Sequence, residues 1–242
     1  MKKKIAYRFI AIFVILSAFM NLQACVSNNV TFQNKEERKL PEFHELNLAM
    51  SADLVLTQGS NQKVEIVASD KILKLIETEV NNGALTIKWT NNFVTQTGDI
   101  KIYITMKNIT SIRISGSGDI LGKGVISAGD INLSISGSGN LKMENLKAES
   151  IKSAISGSAD ITLGGNQPAL KLEVSISGSG DFSAEELPVK NIEVGLSGSG
   201  NCRINATESI KVRISGSGDV YYRGSATIDA KVSGSGSVQH IN

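Results

Sequence analysis

Histidine, proline, tryptophan and cysteine are scarce in this chain of 242 residues, which contains two, three, one and two of them, respectively. So few histidines and cysteines leave little material for a metal site built from imidazole and thiolate ligands. Three prolines beside 23 glycines argue against collagen-like or proline-rich structure. Hydrophobic residues nevertheless make up 41% of the chain, so a buried core can form.

Positive charge is concentrated at the N-terminus. Residues 1–24 contain four basic residues and no acidic ones, namely Lys2, Lys3, Lys4 and Arg8. The whole chain carries a formal charge of +2, so the remainder carries −2 once these four are set aside. A nearly neutral remainder gives no electrostatic reason to expect a nucleic-acid partner.

The basic segment is followed by an apolar run that leads to a cysteine. The run over residues 9–20 suits the apolar core of a secretory signal peptide and is short for a membrane span. The tetrapeptide LQAC, which ends at Cys25, resembles a bacterial lipobox. The sequence therefore predicts a lipoprotein signal peptide over residues 1–24 and lipidation of Cys25. The alternatives are an ordinary signal peptide with a chance cysteine, or a membrane anchor.

The segment after Cys25 is polar. Asn, Lys, Glu and Arg dominate residues 25–40, which predicts a flexible tether between the lipid and the folded domain. Acylation of Cys25 would leave Cys202, the other cysteine of the chain, without a partner for an intrachain disulfide. Export therefore does not imply a disulfide scaffold here.

A sevenfold repeat organises the second half of the chain. Copies of the pattern S-G-S-[GA]-[DNS] begin at Ser115, Ser136, Ser156, Ser177, Ser197, Ser215 and Ser233. They recur every 18 to 21 residues, a period that suits one coil of a solenoid. Hydrophobic residues between the copies alternate with period two, as at Ile192, Val194 and Leu196, which is typical of strands. The sequence thus predicts an all-β, single-stranded parallel β-helix with about 18–21 residues per coil, and the usual crossover rule favours a right-handed one.

The region before the repeats is less regular. A single β-helix domain is predicted over 41–242, with irregular first coils and a cap at 41–110 and the seven repeats at 111–242. A short amphipathic helix is predicted to start after Ser69 and to end at the Asn-Asn-Gly sequence of residues 81–83. We expect a cap because an open solenoid end exposes core side chains and strand edges.

Alternation also predicts which motif residues face outward. If the isoleucine before each motif points inward, the two motif serines point outward and its two glycine positions inward. The outward position just before the motif holds only small residues from the second to the fifth copy, which predicts a flat surface with charge at its two ends, at Arg113 and at Arg213 and Lys231. We call this candidate binding surface the serine face, and it comprises Ser115, Ser117, Ser134, Ser136, Ser138, Ala154, Ser156, Ser158, Ser175, Ser177, Ser179, Gly195, Ser197 and Ser199.

Two interpretations of the serine face remain open. It is either a solvated surface without a partner, or a surface that packs against a flat protein, a second copy of the chain or an extended polymer such as a glycan. Small side chains lose little conformational entropy when they dock, which favours a flat partner. The partners that such a face would suit are a glycan, a protein or a second copy of the chain, the last giving a homo-oligomer.

A column of short polar residues follows the motifs. Its members are Asp119, Asn140, Asp160, Asp181, Asn201, Asp219 and Ser237. Calcium requires six to eight oxygen ligands, several of them carboxylates, and no second acidic column accompanies this one. We therefore predict no metal here, and we expect each side-chain oxygen to cap its local turn by accepting a backbone N–H.

No catalytic constellation stands out in the sequence. His44 and His240 lie near opposite ends of the predicted domain, and no serine is paired with a histidine and an acid. Trp89 is the only tryptophan, which leaves little for an aromatic-lined carbohydrate groove; the best remnant is the Tyr-Tyr pair at 221–222. Cys202 occupies a repeat position that elsewhere holds Ile, Leu, Phe or Val, which predicts core packing. The sequence predicts neither an enzyme nor a cofactor.

Several motifs together resemble a known family. F-x-x-L-x-L starts at Phe43, L-x-L-x-Q-G at Leu54 and L-x-I at Leu85, and the S-G-S-G-[DN] repeats follow. This arrangement is similar to the auto-transporter adhesin head GIN domain family of Bacteroidetes, over about residues 42–238. The resemblance implies an exported β-helical domain with an adhesin-like role, and it supplies no catalytic residues to carry over.

The resemblance and the lipobox together predict a non-catalytic lipoprotein of the cell envelope, anchored in the outer membrane. No acidic cluster follows Cys25, which favours the periplasmic leaflet over the cell surface. The predicted role is adhesin-like binding. The alternatives are a structural or self-assembling envelope protein without a soluble ligand and, less favoured, a polysaccharide-active enzyme.

Overall fold

The computed structural model describes residues 33–91 and 98–241. The predicted signal peptide at 1–24, the lipidation site Cys25 and the first part of the predicted tether lie outside the described residues. Within these described ranges, the structure contains one short helix, α1 (Asp70–Leu73). Its strands are β1 (Asn34–Glu37), β2 (Glu45–Ala49), β3 (Asp53–Gln58), β4 (Lys63–Ala68), β5 (Ile76–Asn81), β6 (Ala84–Trp89), β7 (Lys101–Met106), β8 (Ser111–Ile114), β9 (Asp119–Gly137), β10 (Leu141–Gly157), β11 (Ile161–Gly164), β12 (Ala169–Gly178), β13 (Phe182–Gly198), β14 (Cys202–Gly216), β15 (Val220–Arg223), β16 (Thr227–Gly234) and β17 (Val238–His240).

The repeats form a parallel β-solenoid, which confirms the predicted fold class. Each motif lies beside its copy in the next coil, so that Gly157 is in register with Gly178, and Gly178 with Gly198. The inward positions Val194 and Leu196 are buried, whereas Ser197 is exposed. The period-two alternation thus builds one continuous hydrophobic core along the solenoid axis.

Two long ladders of strands run along the solenoid. In spatial order, sheet A contains β5, β6, β2, β8, residues 130–137 of β9, 150–157 of β10, 171–178 of β12, 191–198 of β13, 209–216 of β14, and β16. Sheet B contains β1, β4, β7, β3, residues 119–122 of β9, 141–143 of β10, β11, 182–184 of β13, 202–205 of β14, β15 and β17. Shorter pairings between the later segments of the same coils complete the wall.

The order of the first coils in space differs from their order in the chain. The coil of β2 and β3 lies between the coil of β6 and β7 and the coil of β8 and β9. After β3 the chain therefore runs outward, through β4, α1 and β5, and returns as β6 and β7. Because β4 pairs with β7 and β5 pairs with β6 in the antiparallel sense, this excursion closes one end of the solenoid. We call it the capped end.

The predicted amphipathic helix is wrong over most of its length. Helix α1 covers only Asp70–Leu73, and Ile76–Asn81 forms β5, an antiparallel partner of β6. The connecting residues Asn82 and Gly83 have φ values of 51° and 80°, as expected for a two-residue hairpin turn. The Asn-Gly pair therefore turns a hairpin, where the sequence analysis placed a helix end.

The predicted tether is also shorter than expected, because part of it belongs to the domain. Residues 34–37 form β1, which pairs antiparallel with β4 at the edge of sheet B. Lys35 and Lys63 donate to the carboxylate of Glu65, at 2.7 and 2.9 Å, and these bonds lower the pKa of that carboxyl. The β1–β4 ladder and the Lys35–Glu65 pair join β1 to the domain, and the folded domain therefore begins near residue 34 and not at 41.

The two ends of the solenoid are built differently. At the capped end, α1 buries Ile72 and Leu73 against the core, and the edge strand β1 is short and charged. At the other end, sheet A finishes with β16, all eight residues of which are exposed. We call this the open end. In the described part of the chain, no helix is long and apolar enough to cross a membrane.

Candidate functional site

The structure gathers the serine face onto one side of the solenoid. One column lies near the C-terminal ends of successive strand segments of sheet A, where the residues in register are Ser136, Ser156, Ser177 and Ser197. The preceding outward column, listed from the capped side, is Arg113, Ser134, Ala154, Ser175, Gly195, Arg213 and Lys231. The second motif serines, Ser117, Ser138, Ser158, Ser179 and Ser199, are exposed at the adjoining corner. The columns therefore exist as predicted, whereas binding at this face stays a prediction.

The hydroxyls of the serine face are available to a partner. Within the described residues, the serine hydroxyls of this face make one side-chain hydrogen bond, from the Ser115 hydroxyl to Asn47 Oδ1 at 3.5 Å. The neighbouring outward column is charged and internally paired, with Lys152 3.3 Å from Glu173 and Lys211 3.0 Å from Glu193. The bond from Lys211 lowers the pKa of the Glu193 carboxyl. A smooth strip of small side chains thus lies beside a row of ion pairs.

A shallow groove of about 430 Å³ adjoins this charged column. It is lined by Leu170, Lys171, Asn191, Ile192, Glu193, Ser209 and Lys211. None of these residues is aromatic, although stacking rings are typical of carbohydrate grooves. The groove offers hydrogen-bonding and charged groups, but no stacking platform for a sugar.

The tyrosines of β15 are already engaged. The guanidinium of Arg203 lies 4.5 Å from the ring centroid of Tyr221, and the ring of Tyr222 packs edge-on against that of His240 at 5.0 Å. His240 also has Nε2 3.2 Å from the carbonyl oxygen of Gly224, so it belongs to the packing of the last coil. The aromatic pair singled out in the sequence is therefore a packing element, and the structure does not present it as a free platform.

The polar column after the motifs connects successive coils. Asp119 Oδ1 accepts from the backbone N–H of Asn140 at 2.8 Å, and Asp181 Oδ1 accepts from that of Asn201 at 2.7 Å. The same pattern runs through Asn140, Asp160 and Asn201, and it ends where Asp219 accepts from the N–H and hydroxyl of Ser237. The side chains do accept backbone N–H groups, but the local-turn prediction is wrong about the donor, which lies one coil further on. We call this column the Asx ladder.

The first glycine column is required by the close stacking of the corners. Gly178 has φ 139°, a region that residues with a side chain rarely adopt. A Cβ built on Gly178 would lie 2.3 Å from the carbonyl oxygen of Gly157 in the coil before it. The close backbone approach between coils therefore demands these glycines.

One thiol and one hydroxyl lie fully inside the core of the described residues, at Cys202 and Ser153. Cys202 is free and fully buried, which confirms its predicted packing role, and burial raises the pKa of its thiol. Ser153 is buried in an inward column between Leu133 and Val174, and its hydroxyl has no hydrogen-bond partner. Neither side chain is reachable by a ligand, so neither carries chemistry.

The described residues contain no group of three or more His, Cys, Asp or Glu side chains placed to hold a metal ion. His44 packs beside the turn glycine Gly83 near the capped end, and His240 lies in the last coil. The two histidines are thus far apart, as the sequence indicated.

The fold and its columns define a parallel β-solenoid built from repeats, and comparison with known proteins gives its family. A model of the family described as "Putative auto-transporter adhesin, head GIN domain" matches residues 42–226. The chain belongs to this family, as its motifs predicted. An adhesin family indicates a protein of the cell envelope or surface. A comparison with curated proteins found no match.

Solved structures show the same fold. A protein described as a putative adhesin from Bacteroides fragilis is 24% identical, with a TM-score of 0.83 over 87% of this chain and 97% of that chain. A putative adhesin from Parabacteroides distasonis is 21% identical, with a TM-score of 0.74 over 88% and 98%. A putative lipid binding protein from the same species is 20% identical, with a TM-score of 0.71 over 87% and 97%. At these identities the likeness establishes the fold alone.

Proposed function

We propose that this chain is a non-catalytic lipoprotein of the cell envelope with an adhesin-like binding role, anchored in the outer membrane through Cys25. The lipobox over residues 22–25 supports the anchor. The first described residue, Gln33, directly precedes the edge strand β1 at the capped end, so the segment that carries Cys25 joins the domain at that end. The serine face runs along the side of the solenoid, and the open end is the end opposite this junction.

The observation that carries the binding role is the serine face itself. Its small side chains stand in register over several coils beside a row of paired charges. A surface of this kind suits an extended polymer with many hydroxyl groups, such as a glycan, because both partners can form repeated hydrogen bonds with little loss of side-chain entropy. A flat protein surface is the second kind of partner that it fits.

The binding role can be tested on residues 33–242 alone. This segment forms one compact unit. The Bacteroides fragilis protein was crystallised, and 97% of its chain matches 87% of this one. Probing a glycan array with this protein should give signals that share a linear polymer backbone. An array without signal, together with no binding to isolated cell envelopes, would contradict the proposal.

The anchor needs a separate experiment. The full chain expressed in a bacterium that processes lipoproteins should incorporate a clickable fatty acid and fractionate with the outer membrane. The Cys25→Ser variant should lose both properties, and Cys202→Ser, which alters the other cysteine, should retain them. Equal labelling of the wild type and of Cys25→Ser would contradict the anchor.

A structural, self-assembling role is the second candidate, and one observation favours it. Strand β16 ends sheet A with an edge of eight residues that no described strand covers, whereas the edge strand β1 at the capped end has four residues. This edge leads to the inference below.

A further inference from the structure

The open end exposes side chains that the rest of the solenoid buries. Ile228 and Val232 of β16 are 41% and 45% exposed. The residues in register with them on β14, Ile210 and Ile214, are each 2% exposed. The inward side chains of the last coil are therefore only about half buried. In the other repeats, the next coil buries the equivalent side chains.

The backbone edge of β16 is exposed as well. On one side it pairs with β14, and in the described part of the chain no strand pairs with its other side. Strands at sheet edges are normally shortened, charged at inward positions or interrupted by proline, because a free edge invites another strand. Strand β16 has eight residues, no proline and the uncharged residues Ile228, Ala230 and Val232 at inward positions, so it lacks these three protections. Its two charges, Asp229 and Lys231, point outward and have opposite signs.

The sequence of β16 is complementary to itself when it is paired antiparallel about Ala230. Asp229 then lies opposite Lys231 of the partner subunit, and the symmetry repeats this pair with the roles exchanged. Ile228 lies opposite Val232 of the partner subunit on the inward side, and Thr227 opposite Ser233 of the partner subunit on the outward side. Opposite charges and β-branched pairs directly across an antiparallel ladder both stabilise it.

Neighbouring registers are much less favourable. Inward residues must face inward residues, so the centre of the pairing can move only by whole residues. A centre at Asp229 places this carboxylate opposite its own copy, and a centre at Lys231 does the same with two ammonium groups. Like charges directly opposite each other are destabilising. Centres at Ile228 or Val232 avoid this repulsion but lose both Asp229–Lys231 pairs, so the charge pattern favours the register about Ala230.

We infer that the open end is a homodimer interface, in which β16 pairs antiparallel with β16 of a second copy about Ala230. The contact is isologous, so it closes at two subunits and does not grow into a fibre. It joins the two cores into one and leaves both capped ends free. Self-association thus moves from the serine face, where the sequence suggested it, to the end of the solenoid.

The geometry of this dimer has a consequence that rests on the proposed anchor. Sheet A has ten strand segments between β5 and β16, which at about 4.8 Å spacing gives a length of about 45 Å. The dimer would be a rod of about 90 Å with its two capped ends, where the segments that carry Cys25 join the domain, at opposite extremes. Such a rod suits adhesion between two membranes if Cys25 is anchored at the cell surface, and not in the periplasmic leaflet that the sequence favours.

Charge exchange tests the register directly. The Asp229→Lys variant has two lysines facing two lysines, and Lys231→Asp has two aspartates facing two aspartates. In sedimentation velocity on residues 33–242, each variant should dimerise about tenfold or more weakly than the wild type, because two attractive pairs become repulsive. An equimolar mixture of the two variants should dimerise again, since each lysine now faces an aspartate.

The double variant completes the test. A protein carrying both Asp229→Lys and Lys231→Asp should pair with itself, but a fluorescently labelled sample of it should not pair with the wild type. Lys123→Asp, an exposed site on β9 several coils away, makes the same charge change as Lys231→Asp and should dimerise normally. Melting curves of all variants check that the monomer is intact, since Asp229 is in register with Lys211.

Three results would overturn the inference. They are a wild type that stays monomeric at several hundred micromolar, single variants that dimerise like the wild type, and a mixture of the two variants that stays monomeric. None of these results bears on lipidation at Cys25, so failure here is distinguishable from failure of the proposed anchor.

The two-membrane geometry has its own readout. Vesicles with nickel-chelating lipids, which hold the protein through a histidine tag before residue 33, should cluster when they carry the wild type. Vesicles with either single variant should stay dispersed, and a mixture of the two vesicle populations should cluster. A solution dimer whose vesicles never cluster would overturn this geometry.

Discussion

Removing one side chain of the Asx ladder should show how strongly the ladder joins successive coils. Asp181 Oδ1 accepts from the backbone N–H of Asn201 at 2.7 Å and from its side-chain amide at 3.1 Å. Asp181→Ala removes both bonds, and water can replace the lost acceptor only in part because the N–H lies between stacked coils. We expect the free energy of unfolding to fall by about 1 kcal/mol, the net value of a single ordinary hydrogen bond, because the exposed side-chain amide of Asn201 can bond to water instead and the net loss is that of the backbone bond alone.

The matched control keeps the oxygen and removes the charge. Asp181→Asn should change the free energy of unfolding by less than about 0.5 kcal/mol, because Asn140 and Asn201 already occupy the same position in other coils. Urea unfolding followed by circular dichroism measures both variants. Equal destabilisation by the two variants would refute the reasoning, since the charge and not the oxygen would then matter. A melting temperature that rises by many degrees with millimolar calcium would also refute it.

Three further predictions concern single side chains. Ser153→Val should raise the free energy of unfolding by about 1 kcal/mol in urea titrations, because it removes an unpaired buried hydroxyl. Ser175→Val, at an exposed position, should change this free energy little. A Ser153→Val protein that is less stable than the wild type would contradict the prediction. Cys202 should react with iodoacetamide only after denaturation, since it is buried and burial raises the pKa of its thiol; rapid native labelling would count against the register. Hydrogen bonds from Ser237 lower the pKa of Asp219 below 3.8, the usual value for an aspartate. The ionised carboxylate therefore stabilises the folded state above about pH 3.8, and this stabilisation is lost as the pH falls through the lowered pKa. Asp219→Asn should therefore flatten the fall in melting temperature between about pH 5 and pH 3, and an unchanged slope would contradict it.

The repeated half of the fold could be read from the sequence because two independent signals agree there. The motif period sets the coil, and the alternation around Val194 and Leu196 sets the face that is buried. Together they fix the register, so the columns of the serine face and the burial of Cys202 follow. Small residues at successive outward positions were enough to predict a flat surface.

The capped end could not be read in the same way. The residues of β5 alternate, but Ile76 and Val80 also have helical spacing, and the Asn-Gly turn resembles a helix end. The position of the β2–β3 coil between two later coils depends on pairing between distant strands, which no local pattern encodes. The polar composition of residues 34–37 concealed a strand, because its stabilising lysines and glutamates are typical of linkers.

The donor to the Asx ladder was missed for a related reason. A short side-chain oxygen after glycine predicts a local cap, and the sequence alone does not show that the same position of the next coil comes closer. The open end was missed because Ile228 and Val232 repeat the pattern of residues that are buried in earlier copies, although no further coil covers them in the described chain.

The most direct test of the proposed binding role replaces the small side chains of the serine face. In residues 33–242, Ser134→Lys, Ser175→Lys and Gly195→Lys together place three long cations on the flat strip, at outward positions with room for them. A control protein carries three lysines elsewhere, at the exposed positions Thr162, Asn166 and Gln167.

Binding to a glycan array and to isolated cell envelopes should be measured for both variants beside the wild type, with melting curves to confirm the fold. We predict that the serine-face variant loses binding while it melts like the wild type, and that the control variant binds normally. Undiminished binding by the serine-face variant would contradict the claim that this face carries the adhesin-like function.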